Sequence, residues 1–145
     1  MNITVKKFNE LTIDELYDIL RVRTDVFVVE QECPYPEVDG KDQHSIHVML
    51  YDNDDLKAYC RVIEPGIQFD QAAIGRVLTT ERGKGYSTPL IEKAIEIARD
   101  DYKSEKAIIE AQVYAMKMYE KFGWYATGEE FLEDGIPHIQ MTLDL

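Results

Sequence analysis

The sequence predicts an α/β fold, a mixed and mostly antiparallel central sheet of about seven strands flanked by helices. Three observations lead there. Period-2 and period-3.6 apolar patterns alternate along the chain. Hairpin turn signals join the early and the last strand patterns, which makes those connections antiparallel. A helix pattern intervenes between later strands, which mixes the connections. At 145 residues the chain is expected to form one domain, 1–145. A domain of this length buries roughly 68–70% of its unfolded surface and needs no staples.

Ile3 to Phe8 reads as a short strand. Thr12-Ile13-Asp14-Glu15 is a capping box that opens a helix to about Val28. Its apolar stripe is Ile13, Leu16, Ile19, Leu20, Val26 and Phe27, with Arg23 in the same face. Glu32 to Gln43 contains two prolines and a glycine and reads as an irregular loop. Ile46–Tyr51 and Leu56–Ile63 alternate around the turn Asp52-Asn53-Asp54-Asp55. A further strand runs from Ala72 to Thr80, where Gly75 suggests a bulge or a close backbone approach.

Leu90, Ile91, Ala94, Ile95 and Ala98 then give a helical stripe from about Tyr86 to Tyr102. Pro89 is tolerated in its first turn, where backbone donors lack partners. Ala107–Val113 is a strand. Ala115, Met118, Tyr119 and Phe122 form a shorter helix stopped by Gly123. Strands near Phe131 and from His138 to Leu143 flank the turn Asp134-Gly135.

The charge balance is 16 basic against 28 acidic residues, a net of −12. That argues against nucleic acid, whose binding needs a basic surface, and against anionic membranes. It is compatible with a cationic small substrate and equally with simple solubility. No stretch approaches the ~20 apolar residues of a membrane helix, and the first residues lack a signal-peptide core. A cytoplasmic location is expected, with the chain as monomer or homodimer. Cys33 and Cys60 are too few for a disulfide framework. His44, His47 and His138 show no zinc spacing, so no metal is expected.

The strongest local pattern is Thr80-Glu81-Arg82-Gly83-Lys84-Gly85-Tyr86-Ser87, between a strand and a helix. Glycines let successive N–H groups converge. The helix N-terminus adds a positive dipole, and Arg82 and Lys84 add charge. This suits a pyrophosphate. The spacing fits neither Walker A nor Gly-x-Gly-x-x-Gly.

Arg82-Gly83-Lys84-Gly85-Tyr86-Ser87 resembles the Arg/Gln-x-x-Gly-x-Gly/Ala motif of the GNAT superfamily of N-acetyltransferases, with Ser87 departing from it. Tyr119-Glu120-Lys121-Phe122-Gly123-Trp124 is similar to a later motif of that superfamily, with Trp in the last place. Matches over almost the whole chain resemble the ElaA-like subgroup. They include Arg23 to Gln31, Cys33-Pro34-Tyr35, Asp39-Gly40, Arg76-Val77, Gln112 and Glu133 to His138.

The resemblance implies the GNAT fold and acetyl-CoA as co-substrate. An amine would attack the thioester directly, so no protein nucleophile is required. Backbone groups of Val77, Leu78 and Thr79 would hold the pantetheine arm. Arg82 and the N–H groups of Gly83, Lys84, Gly85, Tyr86, Ser87 and Thr88 would hold the pyrophosphate. Tyr119 would protonate the departing sulfur; its spacing also fits a core aromatic. Glu110 and Gln112 share a strand face and could order a water or the amine.

The acceptor is expected to be a small amine. Its pocket would draw on the first helix, the loop from Cys33 to Asp42 and the segment around His138. The candidates are Phe27, Gln31, Asp39, His47, Arg76 and His138. Asp39 would hold the cationic group. Arg23, Arg61 and Arg76 lie in apolar elements, where an unpaired charge is costly, and pairing with Glu30, Asp39 or Asp42 is expected. Two other functions fit some of these residues. One is an acyl-CoA-binding module without turnover. The other is a cysteine hydrolase, which would need Cys33 and His47 adjacent in space.

Overall fold

A computed structural model describes residues 1–145. The strands are β1 (Asn2–Lys7), β2 (Ser45–Asp52), β3 (Asp55–Ile63), β4 (Ala72–Thr79), β5 (Lys106–Gln112), β6 (Tyr125–Ala126), β7 (Phe131–Glu133) and β8 (Ile136–Asp144). The helices are α1 (Ile13–Arg23), α2 (Ser87–Glu96) and α3 (Met116–Glu120). One eight-stranded sheet runs in the order β1-β2-β3-β4-β5-β8-β6, with β7 also paired to β8. All pairings are antiparallel except β4 with β5. The eighth strand, absent from the sequence reading, is β6. It is two residues long and too short to carry a period.

The Thr12 capping box forms as expected. The Thr12 hydroxyl accepts from the Glu15 N–H, and Glu15 accepts from the Thr12 N–H. The helix outlasts its expected end at Val28, because π-type turns carry it from Thr24 to Glu30. The expected stripe shifts as well. Ile13 is exposed, while Ile19, Val22 and Arg23 are buried. α2 likewise continues through a π turn to Asp101, and it begins at Ser87 rather than Tyr86.

Helices cover both sheet faces. On one, Val48 and Leu50 of β2 and Cys60 and Val62 of β3 pack with Leu90, Ile91 and Ala94 of α2. On the other, Met49 and Tyr59 pack with Ile19 and Val22 of α1. Because both faces of β2 are covered, all of Ser45–Leu50 is buried.

Two irregularities in β4 create the site. Tyr59 of β3 pairs with Leu78, but Arg61 pairs with Gly75, so β4 carries one extra residue there. Arg76 sits in this bulge with φ +52°. The bulge that Gly75 suggested is therefore present, with the unusual backbone on its neighbour. In addition, β4 and β5 pair only at Ala72–Ala107 and Ala73–Ile108. Beyond that point β5 gives Val77, Leu78 and Thr79 no strand partner. No helix is long and apolar enough to cross a membrane.

Candidate active site

The gap between β4 and β5 opens into a cavity of about 1040 Å³. One wall is Ile74 to Thr79 of β4, and another is Ile109 to Gln112 of β5 with Tyr119 of α3. Phe27 and Gln31 close it from the first helix, and Glu133, Asp134 and His138 from the last hairpin. Arg82 and Ser87 lie at the end nearest α2.

The loop ahead of α2 takes up the geometry that its glycines permit. Gly83 and Gly85 have φ of +75° and +73°, and no atom lies within 4 Å of a Cβ built on either. No side chain caps α2, so its first N–H groups keep free donor capacity. Gly83, Lys84, Gly85, Tyr86 and Thr88 are not on the cavity wall. The Tyr86 side chain turns the other way, into the core against α2.

Tyr119 is buried and packs edge-to-face on Trp124, with ring centroids 6.1 Å apart. The core-aromatic role is thus met. It also lines the cavity, and its hydroxyl has no hydrogen-bond partner in the protein. Burial pushes its pKa far above the ordinary phenol value, so it stays protonated and can donate.

Glu110 accepts a hydrogen bond from Gln68 Nε2 at 2.8 Å. Gln112 exchanges side-chain amide bonds with Gln31 at 3.3 Å. Glu133 entered the sequence reading only as part of the Glu133 to His138 match, and it lines the cavity as well. Burial and the nearby Glu110 carboxylate raise its pKa. Its Oε2 lies 3.7 Å from His138 Nε2.

Beneath the cavity lies a buried ionic network. Arg23 bonds Asp42 at 2.7 Å and Glu37 at 2.9 Å. Arg61 bonds Asp39 and Asp42. Arg76 bonds Glu37 and Asp39. Asp39 and Asp42 were expected partners. Glu37 replaces the expected Glu30, which is exposed. Burial alone would raise the Asp39 pKa, but the hydrogen bonds and charge of Arg61 outweigh it and hold it far below the ordinary range.

Two acceptor candidates need correction. Asp39 lines the cavity, but both its oxygens are held by arginine, so it is not free for an ammonium group. His47 does not reach the cavity at all. It is fully buried on the α1 face of β2, between the Tyr59 hydroxyl and the Asp42 carbonyl. The cysteine-hydrolase arrangement is absent too. Cys33 Sγ lies 3.0 Å from the Asp134 carbonyl, and both His47 ring nitrogens are engaged elsewhere. Burial and Asp134 raise the Cys33 pKa, which disfavours a thiolate.

Comparison with known proteins agrees with this geometry. The acetyltransferase (GNAT) domain model matches residues 17–145. A UPF0039 protein of Schizosaccharomyces pombe is 42% identical over 149 residues, covering 100% of this chain and 98% of its own. Protein ElaA of Escherichia coli is 35% identical over 141 residues, covering 94% and 92%. The crystal structure of an acyl-CoA N-acyltransferase from Pseudomonas aeruginosa superposes with a TM-score of 0.92 at 38% identity, covering 98% of this chain and 99% of that one. Crystalline ElaA of Escherichia coli gives 0.91 at 33% identity, covering 97% of each chain. The divided sheet, the glycine loop before α2 and the unpartnered Tyr119 hydroxyl thus sit in a chain that belongs to the GNAT family of acyltransferases, in its ElaA-like group.

Proposed function

We propose that this chain, acting as one domain over residues 1–145, transfers an acetyl group from acetyl-CoA to the amine of a small cationic acceptor. The observation that carries this reading is the parting of β4 from β5. It leaves the backbone of Val77, Leu78 and Thr79 without a strand partner on the β5 side, opposite a buried tyrosine whose hydroxyl is free. An amide-bearing arm can lie along β4 as an added strand. The loop from Arg82 to Thr88 and the uncapped start of α2 suit a pyrophosphate.

The reaction needs positioning more than covalent help. The amine attacks the thioester carbon, and the carbon–sulfur bond breaks as the tetrahedral adduct collapses. Tyr119 supplies a proton to the sulfur. Acceptor recognition falls to Phe27, Gln31, Glu110, Gln112, Glu133 and His138, all on the cavity wall. Arg76 lies on the wall as well, held by Glu37. Glu110 and Glu133 have no arginine or lysine ion-pair partner, unlike Glu37 and Asp39. That imbalance favours a positively charged acceptor.

The test is a panel of amines, amino acids and alcohols with acetyl-CoA, reading release of free CoA. Amines should be turned over, and the rate at low acceptor concentration should fall as salt rises. Turnover of a neutral alcohol with no amine turnover would overturn the acceptor class. Tight acetyl-CoA binding without turnover on any acceptor would make the chain a binding module.

A further inference from the structure

The cavity holds one nitrogen base with a fixed tautomer. His138 is 7% exposed, and its Nδ1 lies 2.7 Å from the carbonyl oxygen of Ile136. A carbonyl only accepts, so Nδ1 carries the proton and Nε2 keeps its lone pair. The ring is held in place by stacking on Phe131, with centroids 5.9 Å apart. Nε2 points toward Glu133 across 3.7 Å, too far for a hydrogen bond. His138 stands directly opposite Gln112 in the β5–β8 register.

We propose that His138 Nε2 accepts the proton that the acceptor ammonium must lose before it can attack, with Glu133 as a positioning residue that stabilises the imidazolium. This rests on the acetyl transfer proposed above. The ammonium gives one proton to Nε2, which makes an imidazolium and a neutral amine. The amine lone pair forms the carbon–nitrogen bond, and the carbon–sulfur pair leaves on sulfur. Sulfur takes one proton from Tyr119. The second proton on nitrogen returns to the Tyr119 phenolate, and the imidazolium releases its own to water.

Other groups fit the role less well. Glu110 is engaged by Gln68. Asp39 is held by Arg61, and Cys33 is kept as a thiol. Imidazole is the side chain that exchanges a proton near neutral pH. The charged groups acting on Glu133 beside it are Glu110, Asp134 and Arg76, and Cys33 lies against the Asp134 carbonyl. Glu133 itself is nearest to Nε2 among the charged pairs.

The experiment combines two readouts. Nitrogen-15 NMR of the ligand-free protein should show His138 as the Nδ1–H tautomer with a bare Nε2; an Nε2–H tautomer would overturn the proposal. For rate, His138→Asn keeps a donor for the Ile136 carbonyl and removes the base. It should lose about 10²–10³-fold in amine turnover near neutral pH. The deficit should shrink as pH rises toward values where the amine is neutral, and acetyl-CoA affinity should hold within about twofold. Glu133→Gln should move the acidic limb of the pH–rate profile to lower pH, because the imidazolium loses its negative neighbour. A His138→Asn enzyme with the wild-type rate and the same acidic limb would overturn the assignment. A wild-type protein that turns over no amine would count against acetyl transfer itself, and the tautomer would then decide the assignment alone.

Discussion

His47 Nδ1 lies 2.6 Å from the Tyr59 hydroxyl, while the opposite ring nitrogen lies 2.9 Å from the Asp42 carbonyl. The carbonyl can only accept, so Nε2 bears the proton and Nδ1 accepts from Tyr59. The pair ties β2 and β3 to the segment that carries Asp42. Replacing His47 by Ala should leave the tyrosine and the carbonyl bare, costing about 1–3 kcal/mol for each. Urea unfolding measures this directly.

Burial also lowers the His47 pKa. The unfolded chain takes up this proton near pH ~6.5, while the folded chain resists it. Stability should therefore be level above that pH and decline below it, by at most ~1.4 kcal/mol per pH unit for this group. The decline should vanish in a stable His47 variant, and its persistence there would assign it elsewhere.

Arg61 and Asp42 belong to the same buried base. Burial raises the Asp42 pKa, but Arg23 and Arg61 outweigh it, so the net shift is downward. Arg61→Met should cost about 3–5 kcal/mol, because Asp42 would keep a buried charge with one cation lost. The lowered carboxylates add an acid limit. Their stabilisation is complete above the unfolded value of ~3.9 and is lost as pH falls below it. Calorimetric melting from pH 6 to pH 3 checks the sign.

Gly85 has φ +73°. Valine there is strained by the backbone alone, since no atom crowds the site. Gly85→Val should cost about 1–3 kcal/mol or rearrange the loop. Acetyl-CoA affinity should drop while the sheet stays folded. Calorimetry with acetyl-CoA and with pantetheine lacking phosphate separates the effects. Only the first ligand should lose affinity.

Tyr119→Phe keeps the packing against Trp124 and removes the free hydroxyl. CoA thiolate is a moderate leaving group, so the loss in turnover should be near ~10²-fold, the low end for general acid catalysis. Melting temperature and acetyl-CoA affinity should barely change. A large drop in melting temperature would make the ring's role structural.

Much of this architecture is legible in local chemistry. Thr12 and Glu15 announce a helix start, Gly75 announces the β4 bulge, and Gly83 and Gly85 announce a left-handed loop. His47 misleads because both faces of β2 are covered, so alternation cannot tell cavity from core. Asp39 carries two expectations, arginine partner and anchor of the acceptor, and Arg61 and Arg76 leave it only the first. Glu37 and Glu133 stay hidden for another reason. Each sits beside turn-forming residues, and only the fold brings it to the cavity wall.

The most direct measurement follows the acetyl group in a single turnover. Enzyme in excess is mixed with isotopically labelled acetyl-CoA, first alone and then with an amine acceptor, and protein and small molecules are weighed by mass spectrometry. Direct attack requires that no acetyl appears on the protein, Cys33 included, and that free CoA appears only with the amine, in equal amount to its acetamide. Acetyl on the protein before amine is added, or CoA release at the same rate without any amine, would contradict it.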